Sequence, residues 1–284
     1  MRRLPIRLTG WGLSQIVFLI VIFNPVFAGG ISVDAGLTPA ENRWIVRYQH
    51  RLTEKTGNMD SKMTMKMNMI AIAYGLKPYL TVMMMQGLTD KTSEMNSMTD
   101  GMDGRNDMNL LAKYRVYRHN TRDSILGIAA TLKLSIPTGT EMFTTDYWSI
   151  SPGIYLSKRW NTWAIDASSE MNYHDLFNQR GNDLRRGWAV SCSIAGARQI
   201  AVNGRSELAL APVIELNGNI LQPDFPKSGN METRETSILL SPGIKVTYRS
   251  FILEALWQIP VWDELPENSM NNSEKWLAGF RFMF

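Results

Sequence analysis

Eighteen methionines stand in this 284-residue chain, and twelve of them fall between Met59 and Met108. Thioether sulfur is a soft donor that suits Cu(I), and Met95, Met98 and Met102 are spaced so that one loop could bring three sulfurs together among Glu94, Asp100 and Asp103. These three are the candidate metal contacts; the competing reading is a flexible polar loop in which adaptable methionine replaces other hydrophobes. Nucleophilic catalysis needs a base, and only His50, His119 and His174 exist. His174 alone has an adjacent carboxylate, Asp175, but neighbours on a strand point to opposite sides, so no catalytic group is assigned. Cys192 is the single cysteine, which allows no internal disulfide, and no zinc-type Cys/His cluster is present. No cofactor is expected.

The elements that would position such residues are legible first at the end of the chain. From Ser273 the sequence reads S-E-K-W-L-A-G-F-R-F-M-F. Trp276, Ala278, Phe280, Phe282 and Phe284 form one apolar set, while Lys275 and Arg281 fall on the other. A period of two over this length is a two-faced strand, about as long as a tilted membrane-crossing strand must be.

The N-terminus points to export. Arg2, Arg3 and Arg7 precede a continuous apolar run from Ile16 to Phe23, and Val26-Phe27-Ala28 presents small residues where a signal peptidase reads. Residues 1–28 are therefore expected to be a cleaved signal peptide, 29–41 a short periplasmic leader and 42–284 the folded body. Removing the signal takes three arginines and no acid, leaving 27 basic against 26 acidic groups. The sequence pI near 9.1 then gives no reason to expect a nucleic-acid partner.

Strands are expected near 42–52, 62–74, 78–88, 108–118, 123–136, 146–158, 162–173, 184–198, 204–216, 234–248, 250–262 and 274–284. Their connections alternate between short turns and longer polar loops. An even number of strands with short turns on one rim and long loops on the other is the pattern of an outer-membrane barrel. The expected fold is thus all-β: a transmembrane antiparallel up-and-down β-barrel of about twelve strands, with short periplasmic turns and long extracellular loops. Ser151-Pro152-Gly153-Ile154 recurs as Ser241-Pro242-Gly243-Ile244, and each copy is expected to mark a bulge or bend.

Alternation assigns faces. Arg47, Lys66, Lys113, Arg115, Lys133 and Arg281 are expected to line the lumen, as are Asp166, Glu170, Glu207, Glu215 and Glu254. Placed in strand order they form a mainly basic arc opposite a mainly acidic one, a transverse field that would orient dipolar solutes. Met63, Met65, Met67 and Met69 alternate with Lys62, Thr64, Lys66 and Asn68, so a polar inside puts the methionines against lipid or a neighbouring strand. A barrel of this size either conducts or fills its lumen with paired side chains, and both outcomes stay open at this level.

The run Leu111-Ala112-Lys113-Tyr114-Arg115, then Leu132 to Gly139 (L-K-L-S-I-P-T-G), the two Ser-Pro-Gly copies, Gln258-Ile259-Pro260-Val261 and the closing Gly279 to Phe284 resemble, in order and spacing, the "MetA-pathway of phenol degradation" family of outer-membrane transporters. The resemblance covers the chain from about Met63 to its end. It implies an outer-membrane β-barrel in a Gram-negative cell, a passive route for small organic solutes of aromatic or hydrophobic character, and no catalytic residues. The expected partners are the lipid bilayer, the barrel-assembly machinery reading a C-terminal strand whose signal is Phe284, and a small-molecule solute. A copper-handling barrel and a non-conducting binding or structural barrel are the competing functions; oligomeric state has no local signature.

Overall fold

The computed structural model describes residues 29–57, 61–95, 98–173, 184–185, 187–201, 208–222, 225–226, 234–265 and 270–284. The expected signal peptide, His174 and Glu207 lie outside the described residues.

Twelve antiparallel strands form the wall: β1 Trp44–Thr56, β2 Lys62–Lys77, β3 Leu80–Met95, β4 Met108–Asn120, β5 Ser124–Ile136, β6 Ser149–Trp160, β7 Trp163–Tyr173, β8 Trp188–Arg198, β9 Leu208–Gln222, β10 Glu235–Tyr248, β11 Phe251–Glu264 and β12 Asn271–Met283. Each pairs with its sequence neighbour, and β12 returns to pair with β1 through the register Arg47↔Arg281 and Gln49↔Gly279. This closed barrel leaves no free sheet edge. Short extra strands lie off the wall; Met98–Arg105 folds back on the outer half of β3, where the sequence reads as loop.

Two residues separate β2 from β3, β6 from β7 and β10 from β11, and three separate β4 from β5. Asn161 and Arg249 take positive φ (49° and 52°), the backbone twist that such tight hairpin turns require. At the other rim twelve residues join β3 to β4, β5 to β6 and β9 to β10. Neither Ser-Pro-Gly copy is a bulge: pairing lapses over Ser151-Pro152 towards β7 and over Ser241-Pro242 towards β11, with register unchanged. Proline lacks the ladder donor, and here the ladder simply skips it.

Burial is inverted relative to a water-soluble fold. The outward set is apolar, including Ile70, Leu88, Leu132, Ile154, Ile194, Ile214, Ile244 and Leu253. The inward set holds fully buried Gln49, Ser157, Asp166, Glu215, Ser241 and Glu254. Aromatic pairs Trp44–Tyr74, Tyr79–Tyr114 and Phe251–Phe282 lie near the short turns, and Trp257 stacks on Trp276 at mid-strand. An apolar band with aromatic pairs at its short-turn edge around a polar lumen suits hydrocarbon outside and polar contents within.

Candidate functional site: a lumen threaded by its own leader

The leader expected in the periplasm instead enters the barrel. Ile31 and Val33 are buried there, and wall side chains hold backbone groups of Gly30, Ile31, Ser32, Ala35 and Gly36. Asp166 accepts the Gly30 amide (2.7 Å), and Glu215 accepts the amides of Ile31 and Ser32 and the Ser32 hydroxyl. On the carbonyl side, Lys245 Nζ donates to Gly30 O (2.6 Å), Arg47 and Arg281 to Ile31 O, and Lys113 Nζ to Ala35 O (2.8 Å). The physical reason is complementarity: a bent segment with no strand partner inside a barrel has unpaired amides and carbonyls, and this wall supplies acids to the former and cations to the latter. Gly36 passes so close to β6 that a Cβ would stand 2.5 Å from Tyr155 O, which only glycine tolerates. Thr38 then donates to Pro78 O and faces Arg115 at the turn rim, where the chain enters β1.

Several of the expected lumenal charges pair locally instead of facing one another across the lumen. Strand β11 adjoins β12, which adjoins β1, so Glu254 lies beside Arg281 and Arg47 rather than across from them. It accepts from Arg47 Nη2 (2.7 Å), Arg281 Nε (2.9 Å) and Gln49 Nε2 (2.9 Å). Lys133 pairs with Glu170, which also accepts from the Tyr155 hydroxyl, and Asp166 pairs with Arg159 (2.7 Å). Arg159 reads as a turn residue in sequence, yet it is an inward strand residue; only its alternation with Ser157 and Tyr155 could have signalled this.

Two face assignments on β2 reverse. Met69, Ala71 and Ala73 line the lumen, as do Met65 and Met67 higher up, so Lys66 falls on the outer face, opposite Leu52. The polar residues there satisfy one another: Asn68 Oδ1 accepts from Tyr48 Oη (2.7 Å) and lies 2.9 Å from His50 Nδ1. Being long and near the outer rim, Lys66 can carry its charge along the wall to water. Treating polarity as the mark of the inside fails where methionine, flexible and apolar, fills lumenal space instead.

The loop methionines do not form one cluster. Met95 and Met98 are cross-strand partners at an exposed hairpin tip, while Met102 pairs with Lys91 four residues further down, roughly 13 Å along the strand from Met98. Such a separation puts one ion out of reach of all three.

Below the long loops, Asp107 ties the connections together. It accepts from the Gly139 amide (2.9 Å), the Thr145 amide (2.9 Å) and the Thr145 hydroxyl (2.7 Å). Burial pushes its pKa up, but the Thr145 and Gly139 hydrogen bonds outweigh that and hold it below the ordinary carboxylate value.

Closure, the apolar belt and the hydrogen-bonded lumen define an outer-membrane-type β-barrel. Among solved structures the chain is similar to an outer membrane channel from Pseudomonas putida F1, with TM-score 0.67 and 19% identity over 88% of this chain and 98% of that one. It is also similar to the beta domain of the Bordetella autotransporter Brka, with TM-score 0.50 and 15% identity over 87% of this chain and 100% of that one. At such identities the likeness is one of fold. Neither a protein-family model nor a curated protein matches the chain.

Proposed function

We propose that the barrel resides in the outer membrane of a Gram-negative cell and passes small organic solutes by passive diffusion, narrowed on the periplasmic side by its own leader. Export by the 1–28 signal, insertion through the C-terminal strand and the lipid bilayer as surroundings belong to the same reading. The observation that carries it is the lumen: its leader is held by hydrogen bonds and leaves open space beside and above it, where a packed apolar core would leave none. Many of the lumenal charges are engaged by one another or by the leader, so these residues act first as the frame of a constriction. Resemblance to the phenol-degradation family favours solutes of aromatic or hydrophobic character.

A second reading, a barrel that binds or braces without conducting, is favoured by the leader itself, which occupies the turn-side half of the lumen. Conductance of the purified mature protein in planar bilayers separates the two. The expected result is a small single-channel conductance that rises several-fold when residues 29–38 are deleted. Sealed membranes for both proteins, with both barrels verified as folded, would overturn the conduit.

A further inference from the structure

Two cavities remain in the lumen with the leader in place, of about 260 and 280 Å3, and Arg51 and Ser32 line both. The second lies towards the long-loop rim, bounded by Met65 and Met67 on β2, Leu239 on β10, and Lys275 and Leu277 on β12. Arg51 Nη2 donates to Gln49 Oε1 (2.9 Å), but its buried Nε has no hydrogen-bond partner among the described residues. Of the nearby lumenal acids, Glu254 holds Arg47 and Arg281, Glu215 holds the leader, and Asp34, which lines the lower cavity, lies 4.0 Å from Arg47. Among the described residues no acid lines the upper cavity, and Lys275, opposite Thr53 and diagonal to Arg51, adds a second cation there. The remaining wall is mixed: Thr53, Ser193, Asn217, Asn219 and Gln258 stand beside the thioethers, leucines and Trp276.

We infer that this upper cavity is a binding site for a small amphipathic organic monoanion, its acid group on Arg51 and Lys275 and its apolar body against Met65, Met67, Leu239 and Leu277. A carboxylate or sulfonate supplies acceptors to a guanidinium left with an unused donor, and unbranched methionines adapt to varied apolar shapes. A soft metal cation, which thioethers alone would attract, meets two cations in the wall and no carboxylate ligand among the described lining residues. The volume lies near the lower end of small-molecule sites, so the acid is small. The inference builds on the conduit reading and narrows the solute to an anion.

Calorimetric titration of the folded, detergent-solubilised mature barrel with sodium hexanoate, hexylammonium chloride and sodium acetate tests it. Saturable hexanoate binding is expected, with acetate at least tenfold weaker for want of an apolar body and hexylammonium not bound. Arg51→Gln is expected to weaken hexanoate at least tenfold; should that variant not fold, Lys275→Gln gives the same comparison. Hexanoate binding unchanged in the folded variant, or hexylammonium bound as tightly, would overturn the site. Titration in detergent needs no conduction, so a barrel that binds hexanoate yet seals bilayers loses the conduit and keeps the site.

Discussion

Arg47 and Arg281 are register partners across the seam that closes the barrel, and both reach the single carboxylate of Glu254. Two cations share one buried anion, Asp34 stands 4.0 Å from Arg47, and the leader carbonyl of Ile31, which both arginines also contact, adds negative potential. The seam and the leader therefore stabilise each other.

Removing the shared anion should loosen both. Glu254→Gln leaves two guanidinium groups facing each other with only Asp34, 4.0 Å from Arg47, to offset them, and breaking such a buried pair typically costs about 3–5 kcal/mol. Urea unfolding in lipid vesicles should show a loss of that order. Arg281→Glu, which sets two carboxylates together, should be no milder; a variant of Arg281 that changed permeation alone would contradict the shared-anion geometry.

Asp166→Asn should release the start of the leader. The carboxylate that accepts the Gly30 amide and pairs with Arg159 is lost, and hydrogen bonds to charged groups are worth about 1.5–3 kcal/mol. Amide exchange at Gly30 should speed up by roughly one to two orders of magnitude while β8 and β9 keep their protection. Gly29→Val should act similarly by crowding, because a Cβ at Gly29 would stand 2.4 Å from Asp166 Oδ2.

Acid should untie the long loops through Asp107. Its folded pKa is depressed, so its contribution is present above the unfolded carboxylate value and is lost as pH falls through the folded value. Exchange protection of the Gly139 and Thr145 amides should hold at neutral pH and fall only below about pH 4. Asp107→Asn should lower that protection at neutral pH and abolish its acid dependence.

Deleting Phe284 should impair closure as well as delivery. Its backbone exchanges hydrogen bonds with Trp44 (2.9 and 3.1 Å), the last rung between the two ends of the chain, and its ring stacks on Phe282 at 5.2 Å. Heat-modifiable folded barrel in cell membranes is expected to drop sharply. Phe284→Leu keeps the rung, so folding into vesicles should persist while delivery falls if the terminal aromatic is what the assembly machinery reads.

Much of the barrel was legible because strand periodicity and loop asymmetry are local. The faces of β6, β10 and β11 followed from alternation, since Ser, Lys and Glu there alternate with Ile, Leu and Trp over a full crossing. On β2 the same rule inverted, because Lys66 and Asn68 are polar for reasons settled by β1: Leu52 opposite one, and Tyr48 and His50 bonding the other. The three loop methionines look like one cluster in sequence because linear spacing does not reveal that Met98–Arg105 forms a strand, which carries Met102 away from the tip.

By itself the sequence determined the strand count, the long and short rims and the closing strand with its inward Arg281 and Lys275, because each depends on residues near one another along the chain. Only the tertiary structure decided which charges meet and where the leader goes. Glu254 meets Arg47 because β12 closes on β1, a pairing over 207 positions of sequence separation. The leader enters the lumen because Asp166, Glu215, Lys113 and Lys245, scattered over β4, β7, β9 and β10, converge there only once the ring is shut.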